Sequence, residues 1–409
     1  MPPPDPPKNL PKFVAPGAYI EEIQSQSRSI AGVPTSMTAF VGLAADGPAN
    51  QVSGPLASYA DFKATYGDAP LIALADQTQA INYLALAAQA FFENGGTHLY
   101  ISRVTAADGS NSAQPVADDF ARALKLLEPV PEIAIVAAPG ATVANASGIA
   151  AVAPVHAALI AHAEQQRAYR FAVLDPPQGC SVADVQSLRA QFDSKSAALY
   201  YPWVTALDPS AAAGTAAQIS LPPSGFLCGI YAQNDNARGV FKAPANIAIN
   251  GAICFETSIN DQTNEVLNPL GINCLRSFPG RGNLVWGART ISSDPEWKYV
   301  NVRRYLLYLE QSIDQGTQWA VFEPNGPNLW TALQASVSSF LFNEWRSGAL
   351  LGAKPEVAFV VKCDRTTMTQ NDIDNGQLIC LVGVAVIQPA EFIIFRIAQW
   401  TADAKPPNP

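Results

Sequence analysis

Between residues 37 and 204 the chain alternates short apolar runs with helical patterns, and this alternation constrains its fold more than any other feature. Strands are expected at 37–43, 99–104, 133–138, 171–174 and 198–204, and helices at 58–66, 77–93, 117–127, 147–166 and 182–192. The 77–93 segment carries Ile81, Leu84, Ala88 and Phe91 on one face and stops at Asn94-Gly95-Gly96, a left-handed terminator. Apolar strands separated by helices imply right-handed β-α-β units and a mostly parallel sheet covered on both faces. The expectation is an α/β domain over residues 31–240.

Past residue 240 the texture changes to α+β, over 241–388. One helix is expected at 298–313, opened by Asp294-Pro295 and apolar at Val302, Tyr305, Leu309 and Ile313. A second, at 328–348, carries Trp330, Leu333, Val337, Leu341 and Trp345 before Gly348. Three strand-like runs follow at 357–363, 378–387 and 392–400. The 378–387 run is well short of the roughly 18 residues a membrane helix requires and reads as a buried strand.

Both ends read as extended arms, over 1–30 and 389–409. Residues 1–16 are rich in proline, which fixes φ and removes backbone donors. After them Tyr19, Glu21 and Ile23 face one way and Ile20 and Glu22 the other, a strand without a local hairpin partner. Pattern alone leaves open whether it pairs far away or forms the first edge strand of its own domain. At the other end Phe392, Ile393, Ile394, Phe395 and Ile397 form a strongly β-prone apolar segment that invites aggregation unless something pairs with it.

Residue patterns that carry chemistry are sparse. The formal charge is −9 and only 14% of residues are charged, which argues against nucleic acid as the main partner, since phosphate binding needs clustered cations. The six cysteines form no Cys-x-x-Cys pair and read as small apolar residues. His156 and His162 stand at i, i+6, off a shared helix face, and read as satisfied or exposed, so no metal centre and no cofactor is expected. Asp175 is the best-placed carboxylate and reads as a cap for the turn after its own strand. The cluster around Gly280, Arg281 and Gly282 reads as a turn without the flanking strand and helix of a dinucleotide site. Arg276, Arg289, Arg303 and Arg304 are expected to meet carboxylates of the same or a neighbouring chain. The first residues lack a basic start and an apolar core, so the protein is expected to remain in the cytoplasm where it is made, with no membrane insertion.

Eight segments together resemble a known family. They are Pro16-Gly-Ala-Tyr-Ile-Glu-Glu-Ile23, Ala39-Phe-Val-Gly42, Asn94-Gly-Gly96, Leu267-Asn-Pro-Leu-Gly-Ile-Asn273, Val285-Trp-Gly-Ala-Arg-Thr290, Val302-Arg-Arg304, Val321-Phe-Glu-Pro-Asn325 and Pro389-Ala-Glu-Phe392. Their order and spacing resemble the tail sheath proteins of contractile phages, R-type pyocins and phage-derived injection systems. The resemblance implies a non-enzymatic subunit of stacked hexameric rings around an inner tube, with baseplate and terminal cap proteins as further partners. It also implies that both arms are lent to neighbouring copies to complete a small shared sheet, so that residues 241–388 act as an assembly domain. The arm strands would be Tyr19, Ile20, Glu21, Glu22 and Ile23 at one end and Phe392, Ile393, Ile394, Phe395 and Ile397 at the other. The helix near 328–348, with Arg346 and Lys354 close to its end, either clasps an acidic inner tube or simply packs in the core with solvated charges.

Overall fold

A nine-stranded sheet forms the body of the computed structural model, which describes residues 29–106, 109–111, 116–141, 148–211 and 216–394. Across the sheet the strands run Ile247–Ala248, Gly282–Val285, Ile272–Phe278, Ala197–Tyr201, Phe171–Leu174, Ile135–Ala137, Thr38–Gly42, Leu99–Arg103 and Val52–Leu56. The inner six are parallel, and the strands beyond them at either side run antiparallel. This is the mostly parallel, helix-flanked sheet that the alternation implies, and strands drawn from 247–285 carry it past residue 240.

Side chains alternate between two cores, as the pleat requires. Phe40, Ile101, Ala137 and Val173 face the helices Tyr83–Glu93 and Pro223–Arg238, while Ala39, Val41, Val136 and Leu174 face Ala117–Lys125, Ile149–Ala163 and Val182–Arg189. Helix Pro223–Arg238 is absent from the expectations above. It is buried on most sides, so it shows no polar face for a periodicity argument to find. Its glycines set its position: a Cβ at Gly225 would lie 2.8 Å from Ala87 Cα, and one at Gly229 would lie 2.4 Å from the Phe91 carbonyl oxygen. Only glycine permits this approach to helix Tyr83–Glu93.

Several expected elements are redrawn. The run at 198–204 divides into the sheet strand Ala197–Tyr201 and the strand Val204–Leu207, which joins Gln218–Leu221 and Ala252–Phe255 in a separate three-stranded sheet. The 77–93 helix begins only at Tyr83, because Gln79–Ile81 pairs with Leu71–Ala73. Asp294-Pro295 opens the 3-10 turn Pro295–Trp297, with the Asp294 carboxylate accepting from the Glu296 amide, and the long helix Val300–Gly316 follows. The 357–363 run forms a helical turn, Pro355–Ala358, and then strand Phe359–Lys362. The 378–387 run is not a buried strand: only Leu381–Val384 is strand, and Leu381 is 56% exposed.

Helices Val300–Gly316 and Pro327–Arg346 form a second body beside the sheet, with Tyr305, Leu309, Val337, Phe340 and Leu341 in their shared core. Tyr305 and Tyr308 each donate a hydrogen bond to Glu344, at 3.0 and 2.9 Å, tying the two helices together. Among the described residues no helix is long and apolar enough to cross a membrane.

Candidate assembly interface

Most of the polar groups singled out above find partners inside the body. Asp175 does not cap its own turn: its carboxylate accepts from the Ser224 amide at 2.7 Å and the Ser224 hydroxyl at 2.5 Å, satisfying the start of helix Pro223–Arg238. Burial pushes the Asp175 carboxyl up to about 7, against the pull of both Ser224 bonds. His156 and His162 are both buried, not exposed, and burial lowers each to about 4. His162 meets the Arg170 guanidinium, whereas His156 Nδ1 has no hydrogen-bond partner.

The cations meet carboxylates of the same chain. Arg304 pairs with Asp235 at 2.7 Å, both side chains being almost fully buried, and Arg303 reaches Glu310 while Arg276 reaches Asp261. The Arg281 cluster is the turn of a β-hairpin, preceded by strand Ile272–Phe278 and followed by Gly282–Val285, so a preceding strand is present after all. Arg281 bonds Asn246 and lies over the Phe278 and Trp286 rings. Among the described residues no three His, Cys, Asp or Glu side chains are placed to hold a metal ion.

One of two two-stranded ribbons among the described residues lies near the C-terminal end. Strand Phe359–Lys362 pairs antiparallel with Leu381–Val384, and among the described residues no third strand joins them. Its inward residues Val361 and Val384 rest on the two-helix core, and the Gln334 side chain donates to the Val361 carbonyl at 3.0 Å. Its outward residues Val360 and Leu381 stand open, with Leu351 and Val357 exposed nearby. A two-stranded ribbon is marginal in water, and open apolar edges are templates for further strands.

The C-terminal arm leaves the body beside this ribbon through one anchored residue. Glu391 accepts from Arg289 at 2.8 and 2.5 Å and from the Tyr299 hydroxyl at 3.2 Å, with Lys298 3.5 Å away. Burial opposes its ionisation, but the Arg289 bonds and charge outweigh this and hold the carboxyl below its ordinary range. A cleft of ≈ 750 Å³ opens at this root, lined by Phe241, Trp286, Tyr299, Asn301, Ile387 and Phe392 among others. Immediately beyond Glu391, Phe392, Ile393 and Ile394 are 73%, 73% and 77% exposed and belong to no strand.

Comparison with known proteins gives this arrangement its context. Residues 113–291 match the phage tail sheath protein central domain, and residues 292–399 match the phage tail sheath C-terminal domain. The chain belongs to the phage tail sheath family. It is similar to the helical sheath of the anti-feeding prophage in its contracted state, with 31% identity and a TM-score of 0.75 over 94% of this chain and 99% of that one. The sheath complex of the extracellular contractile injection system PVC, also contracted, gives 27% identity and 0.74 over 94% and 97%. The putative prophage major tail sheath protein of Pseudomonas aeruginosa (strain UCBPP-PA14) is 25% identical over 265 residues, 63% of this chain and 65% of that protein. The chain is thus a structural sheath subunit and not an enzyme.

The remaining sequence-derived positions divide around this sheath framework. Tyr19, Ile20, Glu21, Glu22, Ile23, Phe395 and Ile397 lie outside the described residues. Arg346 ends helix Pro327–Arg346 and Lys354 precedes the turn Pro355–Ala358, and both are exposed. Sequence reasoning missed the Arg289–Glu391 anchor, for which a separation of 102 residues leaves no local signal.

Proposed function

We propose that this sheath subunit polymerises by strand addition at the Phe359–Lys362/Leu381–Val384 ribbon, and that the arms at 17–23 and 392–400 of neighbouring copies are the added strands. The observation that carries the reading is the ribbon itself: two strands, apolar outward residues and no third strand beside them among the described residues. Backbone hydrogen bonds supply strength in such an addition, and side-chain pockets supply register. A head-to-tail contact that does not close on itself grows without limit along a helix, here the helical stack of hexameric layers.

The lattice surrounds an inner tube, meets baseplate and cap proteins at its ends, and shortens to drive the tube through a target envelope. Arms that stay paired while the rigid bodies rotate keep the mesh connected during that change. The parts are made in the bacterial cytoplasm and become part of a phage tail or tail-like particle. Exposed Arg346 and Lys354, at the end of the helix Pro327–Arg346 and just after it, face an acidic tube surface in this reading. Charge reversal at both positions is expected to abolish co-sedimentation with the tube, and unchanged binding removes them from the contact.

Negative-stain microscopy of the full chain beside a chain lacking residues 1–24 tests assembly. The full chain is expected to form long tubes and the shortened one to remain soluble monomer. Tubes from the shortened chain overturn the arm assignment, and closed rings alone from the full chain assign it to a cap or baseplate instead.

A further inference from the structure

The ribbon ends in two facing thiols. Phe359 stands opposite Val384 and Lys362 opposite Leu381, so one further step of the same register sets Cys363 opposite Cys380. Opposed residues point to one face of a ribbon, and here it is the inward face, since Cys363 shares its parity with buried Val361. Both sit in the apolar cluster of Leu329, Leu333 and Met368. Both are free. Cross-strand neighbours lie about 4.5–5.5 Å apart at Cα, within the roughly 4.4–6.8 Å that a disulfide spans.

We propose that Cys363 and Cys380 are a redox-closable staple across the ribbon, oxidised by a low-molecular-weight disulfide such as oxidised glutathione once the protein leaves reducing surroundings. Cys380 is half-buried while Cys363 is buried, so the reaction starts at Cys380. Its thiolate, formed by loss of a proton, attacks one sulfur of glutathione disulfide and displaces one glutathione thiolate. The deprotonated Cys363 sulfur then attacks the Cys380 sulfur of the mixed disulfide and displaces the second glutathione. One protein dithiol and one small disulfide become one protein disulfide and two small thiols. Burial raises both thiols, Cys363 to about 12, so each reacts through a small thiolate fraction, and the less buried Cys380 meets the small disulfide first.

The bond encloses residues 364–379, which contain the short helix Gln370–Asp374 and a contact from the Asn325 side chain to the Gln377 carbonyl at 3.0 Å. Closing this loop fixes the ribbon's end against helix Pro327–Arg346. The inference concerns thiol chemistry within one chain and stands whether or not the arms add to the ribbon.

The test uses the full chain carrying Cys254→Ser, which removes the exposed competing thiol. After oxidation with glutathione disulfide, denaturation, alkylation and trypsin digestion without reductant, the tripeptide Cys363-Asp364-Arg365 is expected to be linked to the peptide spanning 366–396. Reductant separates them, Cys380→Ser leaves the tripeptide free, and the oxidised chain melts about 3 °C above the reduced one. Alkylation of both thiols after oxidation, a glutathione adduct retained on Cys380, or linkage to another cysteine overturns the pairing. A linked peptide with no rise in melting temperature overturns the staple.

Discussion

Two of the sheets in this chain, the nine-stranded sheet and the ribbon near the C-terminal end, handle their edges in opposite ways. The nine-stranded sheet ends on one side in Ile247–Ala248, only two residues long, and on the other in Val52–Leu56, interrupted by Pro55 and a register shift. Short strands, proline and irregular pairing are the usual devices that prevent edge-to-edge association. The ribbon Phe359–Lys362/Leu381–Val384 shares only the first of them: its strands are four residues long, but they contain no proline, pair without a register shift and present Val360 and Leu381 outward. One sheet closes its edges within the chain, and under the proposed strand addition the other leaves them for neighbours. On that proposal the difference separates a rigid body, which must not stick, from the joint by which bodies are connected.

The contrast is tested hardest where the body is most committed. Arg304 and Asp235 join helix Val300–Gly316 to helix Pro223–Arg238, with Arg304 also donating to the Thr35 carbonyl at 2.9 Å. Replacing either partner with alanine strands a buried charge, so Asp235→Ala is expected to cost about 3–5 kcal/mol in urea unfolding. A loss below about 1 kcal/mol would show that the two bodies are not coupled through this pair.

Asp175 gives the next effect, on the order of a few kcal/mol, and it depends on pH. Its folded pKa of about 7 lies above the ordinary 3.8, so folding favours the protonated form. The stability tied to this proton is fully present below about pH 4 and is lost as pH rises toward 7. Asp175→Asn keeps an acceptor for Ser224 without the charge. The variant is expected to gain on the wild type between pH 5 and pH 8 in urea midpoint, and using the difference between the two chains cancels the opposing contributions of His156 and His162. A constant difference across that range would refute the assignment.

Glu391 lies at the border between the two regimes, and Glu391→Gln is expected to cost about 1–3 kcal/mol. The effect should be local: faster hydrogen exchange at 387–394, with the nine-stranded sheet unaffected. Here the sign reverses, because a depressed carboxyl pKa makes a contribution that is present above the ordinary value of 4.5 and is lost as pH falls through the folded pKa. Exchange that accelerates equally across the sheet would mean that Glu391 supports the body instead of anchoring the arm.

The same division explains what could be read in advance. Phe171–Leu174 appears where its apolar run places it, and the helices Ala117–Lys125, Ile149–Ala163 and Val182–Arg189 fall within the expected spans, because each buries its pattern against its own chain. Helix Pro223–Arg238 escaped because burial on most sides erases periodicity, and Gly225 and Gly229 are poor helix formers that serve here as contact points. Leu381–Val384 was misjudged for the opposite reason: apolar sequence signals that something covers it, without saying which molecule does. Pairings such as Asp175 with Ser224, or Arg289 with Glu391, are set by topology and leave no local trace.

The smallest effect on stability should carry the largest effect on assembly. Leu381 points outward from the ribbon and is 56% exposed, so Leu381→Lys removes little that the isolated chain buries. Its unfolding free energy should change by no more than about 0.5 kcal/mol, as for ordinary surface changes. Val266, 49% exposed at helix Asp261–Leu267, is the matched control, since Val266→Lys makes a similar change away from the ribbon. If the ribbon is the joint, Leu381→Lys places a charge where a neighbour's strand must pack and tube formation is lost, while Val266→Lys still assembles. Equal assembly by the two variants would mean that the exposed apolar residues of the ribbon are ordinary surface, and the distinction between its edges and those of the large sheet would have no functional content.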